Sequence, residues 1–266
     1  MALTFRLKAQ VPERLDLSGL TPVALAGKSL GEIAALVIGT TRLAPSVGDL
    51  FDVSGTPDDT IRFEGGSERF DGIGTKLAGG TIVVEGDAGA RLGTGMKSGT
   101  ISVAGSVGPH AATAMTGGRI EIGGDAGDFL GGAIHGAMAG QQGGFVLVRG
   151  RIGDRAGDRM KRGTIVSLTG VGADVGSRMS GGTIIAPVSG PRPGTLMKRG
   201  TLILAEPGEL APTFVDTGSW AATFAMLLKR WIAAEAPDAA HLIPLRARRY
   251  RGDMAAVGKS ELLVGA

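Results

Sequence analysis

The 266-residue chain contains no cysteine. That excludes a disulfide framework, thiolate ligation of an iron–sulfur cluster and a cysteine nucleophile. Aromatic residues are scarce, at 4% with a single tyrosine, so any core must be filled by branched aliphatic side chains. Only three histidines occur, His110, His135 and His241, in no H-x-H or H-E-x-x-H spacing, so no metal site is expected on this chain. No run approaches the roughly 18 apolar residues of a membrane span, and Met1–Arg6 lack the apolar core of a signal peptide. A cytoplasmic protein away from the membrane is expected. The net charge of +3 is too small to argue for nucleic acid.

What the chain has is glycine, 47 residues of it, and a repeat. The unit is a Met or Leu, a glycine three residues on, and a short β-branched run. Leu77 leads to Gly80-Thr81-Ile82-Val83-Val84, Met96 to Gly99-Thr100-Ile101-Ser102-Val103, and Met115 to Gly118-Arg119-Ile120-Glu121-Ile122. The register is read onward through Met138, Met160, Met179 and Met197. The leading glycines stand at 80, 99, 118, 144, 163, 182 and 200, 19 or 18 residues apart except for one gap of 26 around Gln141-Gln142. Behind most runs comes Gly-x-x-Gly, often with a further glycine four later, as at Gly93, Gly131, Gly157 and Gly176. A fixed period near 20 residues signals a stacked architecture.

Four or five residues rich in Ile, Val and Thr make a strand and are too few for a useful helix. Period-2 alternation puts the second and fourth residues after each leading glycine on one face. The second reads Ile82, Ile101, Ile120, Val146, Ile165, Ile184, Leu202. Stacked about 4.8 Å apart, these become apolar ladders, and glycines serve the corners. The expected fold is all-β: a right-handed parallel β-helix, or solenoid, of about seven 19-residue turns. It would carry an N-terminal cap and a C-terminal helix, because an open solenoid end exposes strand edges and core. The expected segments are 1–60 (cap or docking arm), 61–210 (repeat domain) and 211–266 (helix and basic tail). In the first, Ser29 and Glu32 form a capping box for a helix through Val37, and Gly48–Val53 begins the first sheet. In the last, a helix is expected from Asp216/Thr217 to about Glu235, with Trp220, Phe224, Leu227, Leu228 and Trp231 on one stripe. The third position after each glycine turns apolar late, at Leu147, Val166, Ile185 and Ile203. That column needs cover, from this helix or a partner protein.

Chemical motifs fail on inspection. Gly27-Lys28-Ser29 resembles the end of a P-loop, but Pro22 stands where its first glycine belongs. No G-x-G-x-x-G occurs, and the one G-x-S-x-G, Gly27-Lys28-Ser29-Leu30-Gly31, is no nucleophile elbow because no buried strand precedes it. Asp87 and Asp125 occupy equivalent turns, but Ser106 and Arg151 replace them in other repeats, which argues against calcium. A polysaccharide-active enzyme needs paired carboxylates on one face, and no recurrent acidic column is present. No catalytic residue is assigned.

The 19-residue Gly-x-x-Gly-x-x-x-Gly repeat resembles the β-helical domain shared by the glutamate synthase large subunit and the C subunit of formylmethanofuran dehydrogenase. The flanks separate the two. Ala26-Gly27-Lys28-Ser29 with Glu32-Ile33, Gly48 to Gly55, Arg249 to Asp253 and Gly258 to Leu262 look like the latter. The resemblance implies a structural subunit of a one-carbon complex of subunits A, B, C and D that transfers or hydrolyses the formyl group of a methanofuran-type carrier. The chemistry, and any metal, would lie on the partner subunits, with no cofactor on this chain. An Ala/Arg-rich tail favours the bacterial formyltransferase/hydrolase branch. The tungsten or molybdenum dehydrogenase branch and a glutamate synthase-type domain remain as alternatives.

One feature left over is basic. Lys97 follows Met96, Lys161 and Arg162 follow Met160, Lys198 and Arg199 follow Met197, and Arg159 and Arg178 precede Met160 and Met179. Stacking is expected to gather them into one ridge with neighbours about 5 Å apart. It is either a solvated corner or, through Lys161, Arg162, Lys198 and Arg199, a contact for an acidic partner. The acidic partner would be a neighbouring subunit or the polyglutamate tail that the resemblance implies for the carrier.

Overall fold

Each β-branched run becomes a strand because its alternate side chains can be buried only by stacking on the same positions one repeat away. The computed structural model describes residues 2–42, 44–221 and 223–265, and of Trp220 and Ala221 the backbone alone. Strands β1 (Leu3–Leu7) and β2 (Leu15–Asp16) precede short helices α1 (Pro22–Leu25), α2 (Leu30–Ala34) and α3 (Val47–Leu50). Next come β3 (Phe51–Ser54), β4 (Thr60–Glu64) and β5 (Phe70–Asp71). The repeats give β6 (Ala78–Val84), β7 (Ser98–Val103), β8 (Arg119–Ile122), β9 (Gln142–Val148) and β10 (Arg151–Ile152). They continue with β11 (Arg162–Ser167), β12 (Gly170–Val171), β13 (Ser180–Val188) and β14 (Arg199–Glu206). Then follow β15 (Val215–Ala221), α4 (Thr223–Glu235), a 3-10 turn (Pro237–Leu242), β16 (Arg246–Gly252) and β17 (Lys259–Gly265).

The protein is mostly β, dominated by one 13-stranded mixed sheet in the order β15-β16-β17-β14-β13-β11-β9-β8-β7-β6-β4-β1-β3. From β4 to β14 every pairing is parallel and in the register that the repeat predicts. Ile61, Ile82, Ile101, Ile120, Val146, Ile165, Ile184, Leu202 and Leu262 form one continuous ladder. All nine are fully buried, each stabilising by about 1.5–3 kcal/mol relative to exposure. A second column of parallel bridges runs Ala88, Val107, Ala126, Ile152, Val171 and Ser189. There the Gly-x-x-Gly backbones lie on one another, Gly105 N–H donating to Gly86 and Gly124 N–H to Gly105, each at 2.9 Å.

The corners hold left-handed residues. Gly131 and Gly157 adopt φ of 64° and 67°. A Cβ on Gly131 would stand 2.7 Å from Ile165 Cδ1, and one on Gly157 2.5 Å from Ile184 Cδ1. In the repeat between Gly93 and Gly131 the same corner position is Ala112, with φ of 58°. The register sets Val146 against it, the one valine in a ladder otherwise of Ile and Leu.

Four expectations are corrected. Met138 is not the repeat's methionine: Met96, Met115, Met160, Met179 and Met197 are fully buried, whereas Met138 is 78% exposed. Gln141, fully buried, takes the core position. Lys161 N–H donates to its carbonyl as Lys97 N–H does to that of Leu77. The extra residues of the long repeat lie before Gln141 and carry Met138 outward. The second correction concerns Gly48–Val53. Val47–Leu50 is a helix, and Phe51–Ser54 runs antiparallel to β1, which itself pairs in parallel with β4. The stack's first parallel strand is therefore Leu3–Leu7, whose Phe5 stacks on Phe63 with centroids 5.1 Å apart.

The third correction is the helix start. Val215–Ala221 is a strand antiparallel to β16, so the helix begins at Thr223; the side chain of Trp220 lies outside the described residues. The fourth is the helix face. Helix α4 does cover Leu147, Val166, Ile185 and Ile203, but through Ala225, Leu228 and Ile232. Small alanines let the helix approach the sheet closely, while Phe224 and Leu227 turn outward and the half-exposed Trp231 packs edge-on against Phe145 of β9, ring centroids 5.4 Å apart. Ser29 and Glu32 form the expected capping box, on a helix ending at Ala34.

Candidate functional site

The basic residues flank the buried methionines, so their placement follows from the stack. Backbone N–H groups of Lys161, Ser180 and Lys198 donate to Gln141, Met160 and Met179 one repeat earlier, each at 2.8 Å. Ser180 therefore sits between the two lysines, and the strand register also sets it opposite Arg199. Lys161 and Lys198, like Arg162 and Arg199, stand two repeats apart, which loosens the expected close-packed ridge there, whereas Arg159 and Arg178 stand on successive repeats. Two strand spacings put like charges about 9.6 Å apart. In water that repulsion is about 0.4 kcal/mol, so no counter-ion is needed to hold the column.

A groove of about 560 Å³ runs along this edge, lined by Arg159, Lys161, Arg178 and Lys198, with Met138 and Leu196 as its apolar wall. Lys161 and Lys198 are thus brought together with Arg159, while Arg162 and Arg199 open β11 and β14 exposed to solvent and do not line it. Among the described residues no carboxylate lies within ion-pair distance of Lys161, Arg162, Lys198 or Arg199. Arg178 differs: its Nε and Nη2 donate to Asp158 Oδ1 at 3.0 and 2.7 Å, and Nη2 to Oδ2 at 2.8 Å. The groove therefore presents three cations without a carboxylate partner among the described residues, Arg159, Lys161 and Lys198, beside the apolar side chains of Met138, Leu196, Ala255 and Ala256.

Asp158, 3% exposed at its side chain, was not singled out by sequence reasoning. Its signal was positional: other repeats carry Thr75, Thr94, Thr113 or Thr195 there. Three of these, Thr75, Thr94 and Thr195, hydrogen-bond the carbonyl three residues back. Asp87 and Asp125 accept from the backbone N–H of Ser106 and Arg151 in the next repeat, at 2.8 and 2.7 Å. They tie neighbouring turns together. His110 stacks on Phe129 with centroids 5.0 Å apart. Burial first, then the charges of His135 and Arg91, hold its imidazole below the ordinary value, against an opposing pull from Asp128. Among the described residues no cluster of three metal-ligating side chains is found, and no helix is long and apolar enough to cross a membrane.

No protein-family profile matches the chain. It is 46% identical over 264 residues to the C subunit of the formyltransferase/hydrolase complex Fhc of Methylorubrum extorquens, covering 99% of both chains. A chain in the crystal structure of that organism's FhcABCD complex with methylofuran matches with a TM-score of 0.94 and 46% identity, again over 99% of each chain.

Proposed function

Since the chain belongs to the family of the C subunits of formyltransferase/hydrolase complexes, we propose that it fills that place in such a complex, assembled with subunits A, B and D. The observation that carries this is the match from end to end, flanks included. The complex transfers or hydrolyses the formyl group of a methanofuran-type carrier in the cytoplasm. This chain is its structural member, without an active site or cofactor of its own, and any metal is held by a partner. The regular parallel register and the second column of bridges support a coil of about seven turns over 61–210. Its right-handed sense is the one strand crossovers favour. Residues 1–60 cap one end, and 211–266 close the other.

Lys161 and Lys198, with Arg162 and Arg199 on the neighbouring rim, engage an acidic partner: the surface of another subunit or the polyglutamate tail of the carrier. Co-expression with subunits A, B and D, followed by mass determination, should recover the chain in the complex. The isolated chain should not turn over formylated carrier; a rate comparable to the complex refutes the structural role. Changing Lys161, Arg162, Lys198 and Arg199 together to Glu should weaken assembly or carrier retention, and the loss should depend on salt. Normal assembly and retention at low ionic strength leave the four as a solvated corner.

A further inference from the structure

The long repeat builds something that the others lack. Its extra residues form a roof from Ala133 to Met138 over a corner of the stack. Ala133 N–H pins it to Asp158 O at 3.0 Å, and Gly140 N–H to Arg159 O at 3.0 Å. Beneath lies a cavity of about 340 Å³ with Phe129 in its wall, bordered by Arg155, Arg159 and Arg178. Only one of these arginines is satisfied, since Asp158 spends both carboxylate oxygens on Arg178. Arg155 lies with its guanidinium 5.1 Å from the Phe129 ring centroid and 3.8 Å from Asp158. Its Nε is buried with no acceptor. Arg159 reaches only the sulfur of Met138, at 3.7 Å.

We propose that this cavity is a binding site for a small oxyanion, a carboxylate or phosphate group on a short carbon body. The charges require it: three guanidiniums face one carboxylate, and that carboxylate is already used. The donors require it too, because a buried N–H without an acceptor is costly, and an Arg fork matches two oxygens of one anion. Stacking on Phe129 fixes the plane of Arg155 and so preorganises the fork. Ile134 and Ala137 in the roof give the ligand's carbon body an apolar surface, and the volume suits a small molecule rather than a bare ion. The site owes its existence to the insertion, because without the roof these arginines would stand in open solvent. The cavity adjoins the groove and shares Arg159 and Arg178 with it, but Arg155, Phe129 and the roof belong to the cavity alone, so the proposal would stand if the reading of the groove failed.

The test is calorimetric titration of the full chain at low ionic strength with inorganic phosphate, acetate and butyrate, chloride serving as the control anion. Phosphate or a carboxylate should bind saturably, and butyrate more tightly than acetate. On binding, the Arg155 Nε–H resonance should shift in nitrogen-labelled spectra. Arg155→Gln with Arg159→Gln should weaken binding by about tenfold or more, while Arg230→Gln on α4, outside the cavity, should leave it unchanged. Arg159→Gln alone keeps the test sound if the double variant misfolds, because Arg159 makes no structural side-chain hydrogen bond beyond its contact with Met138. Absence of saturable binding for all three probes overturns the proposal. So does binding that survives the arginine changes, or binding that Arg230→Gln weakens equally.

Discussion

Ala112 and Val146 are the two exceptions in their columns, and each explains the other. A left-handed non-glycine residue costs about 1–2 kcal/mol, and Ala112 carries that cost at φ of 58°. Its methyl occupies the space which, in neighbouring repeats, receives the Cδ1 of Ile165 or Ile184 against Gly131 or Gly157. Val146, lacking that carbon, makes room. Val146→Ile alone should therefore drive Cδ1 into the Ala112 methyl and destabilise by about 1–3 kcal/mol. Ala112→Gly alone relieves the left-handed strain but loses a buried methyl worth about 0.8 kcal/mol, so its effect should be small. Together the two restore the arrangement of the other repeats, the added methylene replacing the lost methyl, so the relieved left-handed strain remains as a net gain of about 1 kcal/mol. The coupling between the sites should then reach about 2–4 kcal/mol. Urea unfolding of the four proteins, read as midpoint shifts at constant slope, measures it. Additivity within about 0.5 kcal/mol would falsify the steric account.

Arg178→Met strands the buried carboxylate of Asp158 and should cost about 3–5 kcal/mol, toward the lower figure because Arg155 stands 3.8 Å away. Adding Asp158→Asn should recover most of that loss in the same unfolding assay. Ile232→Ala removes a fully buried contact of α4 and should weaken its docking by about 2–5 kcal/mol. Chymotrypsin should then cleave at Phe224 or Trp231 much faster than in the parent, and an unchanged rate refutes the assigned helix face. The lowered imidazole of His110 means that the folded state prefers it neutral. As pH falls below its ordinary value of 6.5, the unfolded chain takes up the proton first and stability is lost until the folded value is passed. His110→Phe should flatten that part of the stability–pH curve.

The sheet was legible because its information is local and repeated. Ile82, Ile101 and Ile120 announce a register that backbone pairing alone can satisfy. The failures came where one residue served two interactions or none of the local pattern applied. Met138 matched the motif in spacing, but Gln141 holds the core position with an amide that donates to Gly143 and Gly144 carbonyls, at 3.0 and 3.3 Å. Helix α4 has apolar residues around most of its circumference, so the pattern could not say which side faces the sheet. Small size at Ala225 and pairing of Val215–Ala221 with β16 decided it. At the groove, Lys161 and Lys198 were identifiable from the sequence. Their separation by Ser180 was a matter of counting repeats, whereas the role of Asp158 depended on a contact across the chain.

Strand β17 pairs with β14, and roughly fifty residues of other structure lie between them in the chain. From β6 to β14, every new strand of the large sheet finds its partner in the repeat just made, so that part of the stack can grow as the ribosome delivers it. At β14 that rhythm stops. At about 5–20 residues per second, the freshly finished edge of β14 waits roughly 3–10 seconds for its closing strand. Over that interval the column of Leu147, Val166, Ile185 and Ile203 also lacks its helix. The nascent protein thus meets its greatest hazard of misassembly after the regular part is complete, when a second chain on the same message could supply the missing strand first. Translation speed across 207–258, rather than across the repeats, should govern the yield of properly closed protein.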